Sequence, residues 1–138
     1  MLNVHQGDLI MIDAEPHASH EMGGHNPENN NIRRPFLVMS RAGYSDKSGL
    51  VVGLAITHIH RDSPFRFSII DFESKIDGDT LLLQLLSYDF LARHGKIIGH
   101  IHSERQFKSI LKQVQNIFVD ETIAVSYTHL TLPTICSV

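Results

Sequence analysis

The sequence predicts an α+β fold: a small, strongly twisted antiparallel sheet or partial barrel, with one α-helix towards the C-terminus. Two observations carry this. Five or six short apolar segments are separated by polar turns, the pattern of a small β domain. A single run with helical spacing follows the last of them. A chain of 138 residues, 20% charged and 42% hydrophobic, suits one globular domain with a modest core, and no internal repeat suggests a second.

Gly7 to Asp13 reads as the opening strand. Leu9, Met11 and Asp13 alternate with Ile10, Ile12 and Ala14, so both faces carry apolar surface. From Glu15 to Ile32 the composition turns to His, Asn, Gly and Pro, which cannot build a core, so a long loop is expected. Phe36 to Ser40 and Leu50 to Thr57 read as the second and third strands, joined by a turn around Ser45 to Gly49. Pro64 to Ile70 is the fourth, with Phe65, Phe67 and Ile69 alternating against Arg66, Ser68 and Ile70. Asp71 to Asp79 reads as a polar hairpin or loop, followed by strands at Thr80 to Leu86 and Lys96 to Ile101. Ser103-Glu104-Arg105-Gln106 has the form of a capping box, in which serine and glutamine satisfy free amides at a helix start. Phe107, Ile110, Leu111, Val114, Ile117 and Phe118 then recur as one buried stripe.

The domain is expected to occupy residues 1–120. The stretch from Val125, beginning Val-Ser-Tyr-Thr-His-Leu-Thr-Leu-Pro-Thr, resembles the translation of a transposon-based sequencing adaptor, so residues 125–138 are set aside from the fold as non-native read-through. The one cysteine, Cys136, lies there, which leaves the domain without a disulfide or a cysteine metal site. No apolar run approaches a membrane span and no signal peptide opens the chain, so the expected compartment is the cytoplasm. A net charge of −3 argues against a non-specific nucleic-acid binder. It leaves room for a local basic groove built from Arg33, Arg34, Arg41, Arg61, Arg66 and Arg93, against the plain alternative of scattered solvated arginines.

The chemistry centres on Arg34-Pro35 at the head of an apolar strand. His20-Glu21 lies in the polar stretch before it, and Thr57 ends the strand after it. This order sets a carboxylate, a guanidinium and a hydroxyl at the ends of neighbouring strands, the groups needed to cut a phosphodiester without a metal. Attack by an RNA 2′-hydroxyl needs a base for its proton, an acid for the departing 5′ oxygen and a cation for the phosphorane. Arg34 suits the cation, because its planar fork binds two phosphate oxygens at once; the alternative is a strand-edge arginine paired with a carboxylate. Glu21 is the candidate base, and His20, which titrates near neutrality, could share or replace it. Thr57 could donate to the scissile phosphate, or be a plain β-branched strand residue.

The same residues carry a family resemblance. Gly7-Asp8, His20-Glu21 before a glycine turn, Arg34-Pro35, Ser48-Gly49-Leu50 and Ile56-Thr57 resemble the MazF/PemK toxins of type II toxin–antitoxin modules. Pro64-Phe65, Gln84, Asp89, Ala92-Arg93 and Lys96 continue the pattern, and the match runs from about Gly7 to Phe118. The resemblance implies an SH3-like barrel that forms a homodimer. It implies a sequence-specific endoribonuclease that needs no metal or other cofactor and leaves a 2′,3′-cyclic phosphate and a 5′-hydroxyl. A cognate antitoxin would silence it by laying a disordered acidic segment over the RNA groove. Arg34, Glu21 and Thr57 would be catalytic; His20, Arg33, Arg41, Arg61 and Arg66 would contact RNA. The chain departs from the pattern in its expanded Glu15–Ile32 loop and in Leu81 and Leu83, where some members carry a basic and an acidic side chain. Asp89 and Arg93 could be a local ion pair.

Two other readings remain open. The related gyrase-poison family keeps this fold but binds a protein target; it relies on a tryptophan near its C-terminus, and this chain has none. Nine of ten histidines lie outside the tail, including His58-x-His60 and His100-x-His102. Alternate strand residues share a face, so each pair could offer two imidazoles to a metal hydrolase, although the sequence places no third ligand.

Overall fold

The computed structural model describes residues 1–14 and 33–124. The segment with Glu21 and His20, expected as a long loop, and the tail from Val125 lie outside the described residues. In chain order the elements are β1 (Asp8–Asp13), β2 (Arg33–Val38), α1 (Ala42–Ser48), β3 (Leu50–Thr57), β4 (Arg66–Asp71), β5 (Ile76–Asp89), β6 (Lys96–His100), α2 (Glu104–Asn116) and the single turn α3 (Glu121–Ala124). The six strands form one sheet in the order β4-β5-β3-β2-β1-β6, every neighbouring pair antiparallel. The sheet curls into a half-barrel, the α+β architecture expected from the sequence.

Both faces of the central strands are buried, as the apolar character on both sides of β1 anticipates. Leu9, Leu37, Leu54, Ile56 and Ile69 pack on one face with Ile110 and Val114 of α2. Ile10, Ile12, Phe36, Val38 and Val51 pack on the other with Tyr88, Phe90 and the N-terminal Val4. The curl brings the β4–β5 turn against the segment after β6. There His102 Nδ1 lies 2.6 Å from Asp71 Oδ1, and the same carboxylate accepts from the amide and hydroxyl of Ser74.

The expected third strand, Leu50 to Thr57, is the observed one, because Gly49 stops what precedes it and His58 opens a polar loop. The expected turn at Ser45 to Gly49 is instead the end of helix α1. Gly49 caps it at φ 76°, and its amide donates to the Ser45 carbonyl at 2.8 Å. The polar stretch Asp71 to Asp79 is also shorter as a loop than expected. β5 begins at Ile76, since Asp77 and Asp79 pair with Ile70 and Ser68 of β4. Leu54 pairs with Leu85 but Ile56 with Thr80, so residues 81–84 of β5 form a bulge opposite Ala55.

Helix α2 begins as predicted: the Ser103 hydroxyl accepts from the Gln106 amide at 3.1 Å. The reciprocal half of the box is not made, because the Gln106 side chain reaches the Ser68 carbonyl instead, tying α2 to β4. The buried stripe is also shorter than expected. Ile117 and Phe118 follow the last helical residue and are 48% and 70% exposed. Ser103→Ala is expected to cost about 1 kcal/mol of stability, read as a lower urea midpoint at unchanged slope. A variant as stable as the parent would deny the cap its role.

Candidate active site

Pro35 fixes how β2 begins. It pairs with Met11 of β1, while the ladder to β3 starts one residue later at Phe36, so its missing amide falls at the end of that ladder. The register Phe36↔Ala55, Leu37↔Leu54, Val38↔Gly53, continued by two residues, sets Arg34 across from Thr57 on one face of the sheet. Arg34 is half-buried as the second residue of β2, and Thr57 is the last of β3, so both stand at the same end of neighbouring strands. The Thr57 Oγ1 accepts from the Ile59 amide at 3.3 Å, which leaves its proton available to an acceptor in front of it. Glu21 and His20, the candidate bases, lie outside the described residues, but the segment that carries them leaves β1 at Asp13 and rejoins β2 at its register partner Arg33, beside Arg34.

Arg33 occupies a different environment. Its Nη1 donates to Asp13 Oδ1 at 2.9 Å, and its Nη2 to the carbonyls of Met11 and His94 at 3.1 and 2.7 Å. His94 Nδ1 meets the other Asp13 oxygen at 2.7 Å. The hydrogen bond from His94, with the Arg33 guanidinium, holds the Asp13 carboxyl below its usual range despite burial. Arg33 is therefore a strand-edge arginine paired with a carboxylate, locking β1 to β2. Arg93 lies 4.5 Å over the Tyr88 ring and donates to the Asp13 carbonyl at 3.0 Å, and the Asp89 carboxylate accepts the Ala92 amide, so this segment braces the same end.

The loop after Thr57 is pinned on a second aspartate. Asp79, 1% exposed, is the register partner of Thr57. It accepts from the Arg61 amide at 2.9 Å and the Ser68 hydroxyl at 2.7 Å, and lies 2.7 Å from His60 Nδ1. Burial opposes its charge, but these donors outweigh it and hold the carboxyl below the ordinary range. Arg66 Nη1 donates to the Ile59 carbonyl at 2.8 Å and stands 3.6 Å from Asp79. Arg61 is exposed. Arg41, also exposed, lies apart from the others at the N-terminus of α1, on the rim of an apolar groove of about 310 Å³ that Tyr44, Leu111 and Phe118 help to line. Gln84 sits on the β5 bulge opposite Ala55, and Leu83 beside it is 70% exposed.

Sequence reasoning missed Asp79 and Asp13, the two carboxylates that order this end. An aspartate reads as a turn former, and only the pairing of strands shows one buried under a loop. The rings of the His100-x-His102 pair bond to different carboxylates: His100 Nδ1 meets Asp8 at 2.9 Å, whereas His102 meets Asp71. Among the described residues no three His, Cys, Asp or Glu side chains assemble as a metal site.

Residues 5–118 match the model of the family described as PemK-like, MazF-like toxin of type II toxin–antitoxin system. Similar solved structures include MazF (Form-I) from Deinococcus radiodurans, 24% identical, with a TM-score of 0.66, covering 81% of this chain and 96% of that one. The MazE–MazF complex (Form-II) from Deinococcus radiodurans is 23% identical at a TM-score of 0.66, covering 83% and 95%. An endoribonuclease in complex with its cognate antitoxin, from a mycobacterial species, is 12% identical at 0.59, covering 83% and 96%. At these identities the likeness is one of fold. No curated protein sequence matches the chain closely enough to count as a relative.

Proposed function

Because the chain belongs to the PemK-like, MazF-like toxin family of type II toxin–antitoxin systems, we propose that it is a metal-independent, sequence-specific endoribonuclease acting on single-stranded RNA. The observation that carries this reading is the placement of Arg34 and Thr57 at adjoining strand ends, beside the point where the segment bearing Glu21 rejoins the sheet. In the reaction the RNA 2′ oxygen forms a bond to phosphorus as Glu21, or His20, takes its proton. The bond from phosphorus to the 5′ oxygen breaks, and that oxygen takes a proton from water or from the protonated base, leaving as a hydroxyl. Arg34 holds two non-bridging oxygens of the phosphorane through its fork, and the Thr57 hydroxyl donates to one of them. The products carry a 2′,3′-cyclic phosphate and a 5′-hydroxyl.

Arg61 and Arg41 are the exposed cations that would meet the RNA backbone, whereas Arg33 and Arg66 hold the walls of the groove through their protein acceptors. Further proposals are a homodimer, a cytoplasmic location and a cognate antitoxin whose acidic segment covers the groove; the MazE–MazF complexes of the same fold support the last. The domain is proposed to span residues 1–120, with the stretch from Val125 non-native.

The test is cleavage of end-labelled single-stranded RNA in excess EDTA, with the product ends identified. Undiminished cutting to cyclic-phosphate ends is expected. Activity that disappears only with chelator would favour a histidine-held metal. No cutting under any condition, with growth arrest retained in cells, would favour a toxin that binds a protein target.

A further inference from the structure

The loop between β3 and β4, residues 58–65, starts at Thr57 and carries the exposed His58 and Arg61. Its anchor is unusual in its geometry. His60 lies between two aspartates of β5, with Nδ1 2.7 Å from Asp79 Oδ1 and Nε2 2.7 Å from Asp77 Oδ1. A neutral imidazole donates through one nitrogen and accepts through the other, so it would turn a lone pair against one of these carboxylates. Only the imidazolium donates to both. The second Asp79 oxygen holds the Arg61 amide, the next residue of the loop.

We propose that Asp79 and His60 are positioning residues for RNA, setting the 58–65 loop as one wall of the groove beside Thr57 only while His60 carries both ring protons. This rests on the nuclease reading above. The charged groups around the ring are Asp77 and Asp79 from β5, Arg66 from β4, whose guanidinium stands 3.6 Å from Asp79, and Arg61 within the loop. The two aspartates prevail: the hydrogen bond to Asp79 first, and that to Asp77 second, raise the His60 pKa above its ordinary 6.5. The anchor is therefore complete below pH 6.5 and is lost as pH rises through the raised value. Released, the loop no longer presents Arg61 next to Thr57, so substrate binding weakens while the groups that act on the phosphate stay in place.

The test is a KM and kcat profile for cleavage of end-labelled RNA from about pH 6 to 9, on the parent, His60→Gln and Asp77→Asn. Parent KM is expected to rise about tenfold across the His60 titration, as a charged hydrogen bond is lost. His60→Gln should show the high KM at every pH. Asp77 is exposed, so Asp77→Asn should fold normally and move the rise to lower pH by removing one of the carboxylates that hold the ring charged. A KM step that persists unmoved in both variants, or a parent KM indifferent to pH, would overturn the proposal and leave the nuclease standing. Absence of cleavage by the parent at every pH would overturn the nuclease reading, and this proposal with it.

Discussion

Arg34→Ala is expected to slow RNA cleavage by roughly a hundred- to a thousandfold, the usual scale for removing one electrostatic stabiliser of a transition state. The proposed site has one guanidinium at the strand end facing Thr57, since Arg33 beside it is committed to Asp13 and two carbonyls. Arg34→Lys keeps the charge but loses the planar fork, so it should fall between the two. Single-turnover rates on end-labelled RNA measure the effect, with thermal melting as the check that the variant is folded. Arg34 is half-buried at the sheet end, opposite Ile12, and is a member of neither core cluster, so the fold should survive the change. A folded Arg34→Ala protein that cleaves within tenfold of the parent would remove this residue from the reaction.

Gly53→Ala should destabilise the protein by more than about 3 kcal/mol, a large part of the stability of a domain this size. Gly53 is the register partner of Val38 in β2 and of Leu86 in β5, in the middle of the sheet. A Cβ there would land on the Leu37 carbonyl oxygen and 2.8 Å from the Phe36 ring. Backbone cannot swing aside as the end of a flexible side chain can, so relief requires the β2–β3 ladder to part. That ladder holds Arg34 and Thr57 at one end, so activity should fall with stability. Gly43→Ala is the control, because nothing lies within 4 Å of the added carbon in helix α1, and a gain of up to about 1 kcal/mol is expected. Urea unfolding of both variants decides it; a Gly53→Ala protein with the parent midpoint would mean the sheet is looser than drawn.

The elements legible in the sequence are those whose signals are local. β3 announces itself as an apolar run between a glycine and a polar loop. α2 shows a serine cap and a stripe of 3.6-residue period. Helix α1 gives no such signal. It has no capping side chain at Arg41 and no apolar stripe, and its one buried residue, Ser45, lies 3.2 Å from the Ser40 hydroxyl, a contact formed only in the folded chain. The first residues of β5 were hidden for a related reason. Asp77 and Asp79 look like turn formers, yet one takes the ladder and a histidine, and the other also anchors a loop.

At the candidate site the same division holds. Motif order and the family resemblance named Arg34 and Thr57 as candidates, and the apolar runs beside them put both at strand ends. Composition and charge do not separate two adjacent arginines, but the Arg34-Pro35 motif named Arg34 for the phosphate and left Arg33 to contact RNA. The register added the partner of Arg33, which falls opposite Asp13 and bonds to it, while Arg34 falls opposite Ile12.

By itself, then, the sequence determined the α+β class, the order of most strands, the helix start and the family, all of which follow from local periodicity and motif order. Only the tertiary structure decided which charges are spent within the protein and which face outward. That outcome depends on partners tens of residues apart, such as Asp13 with His94 or His60 with Asp79. Burying a carboxylate is tolerated only where several donors converge on it, and such convergence is a property of the assembled sheet.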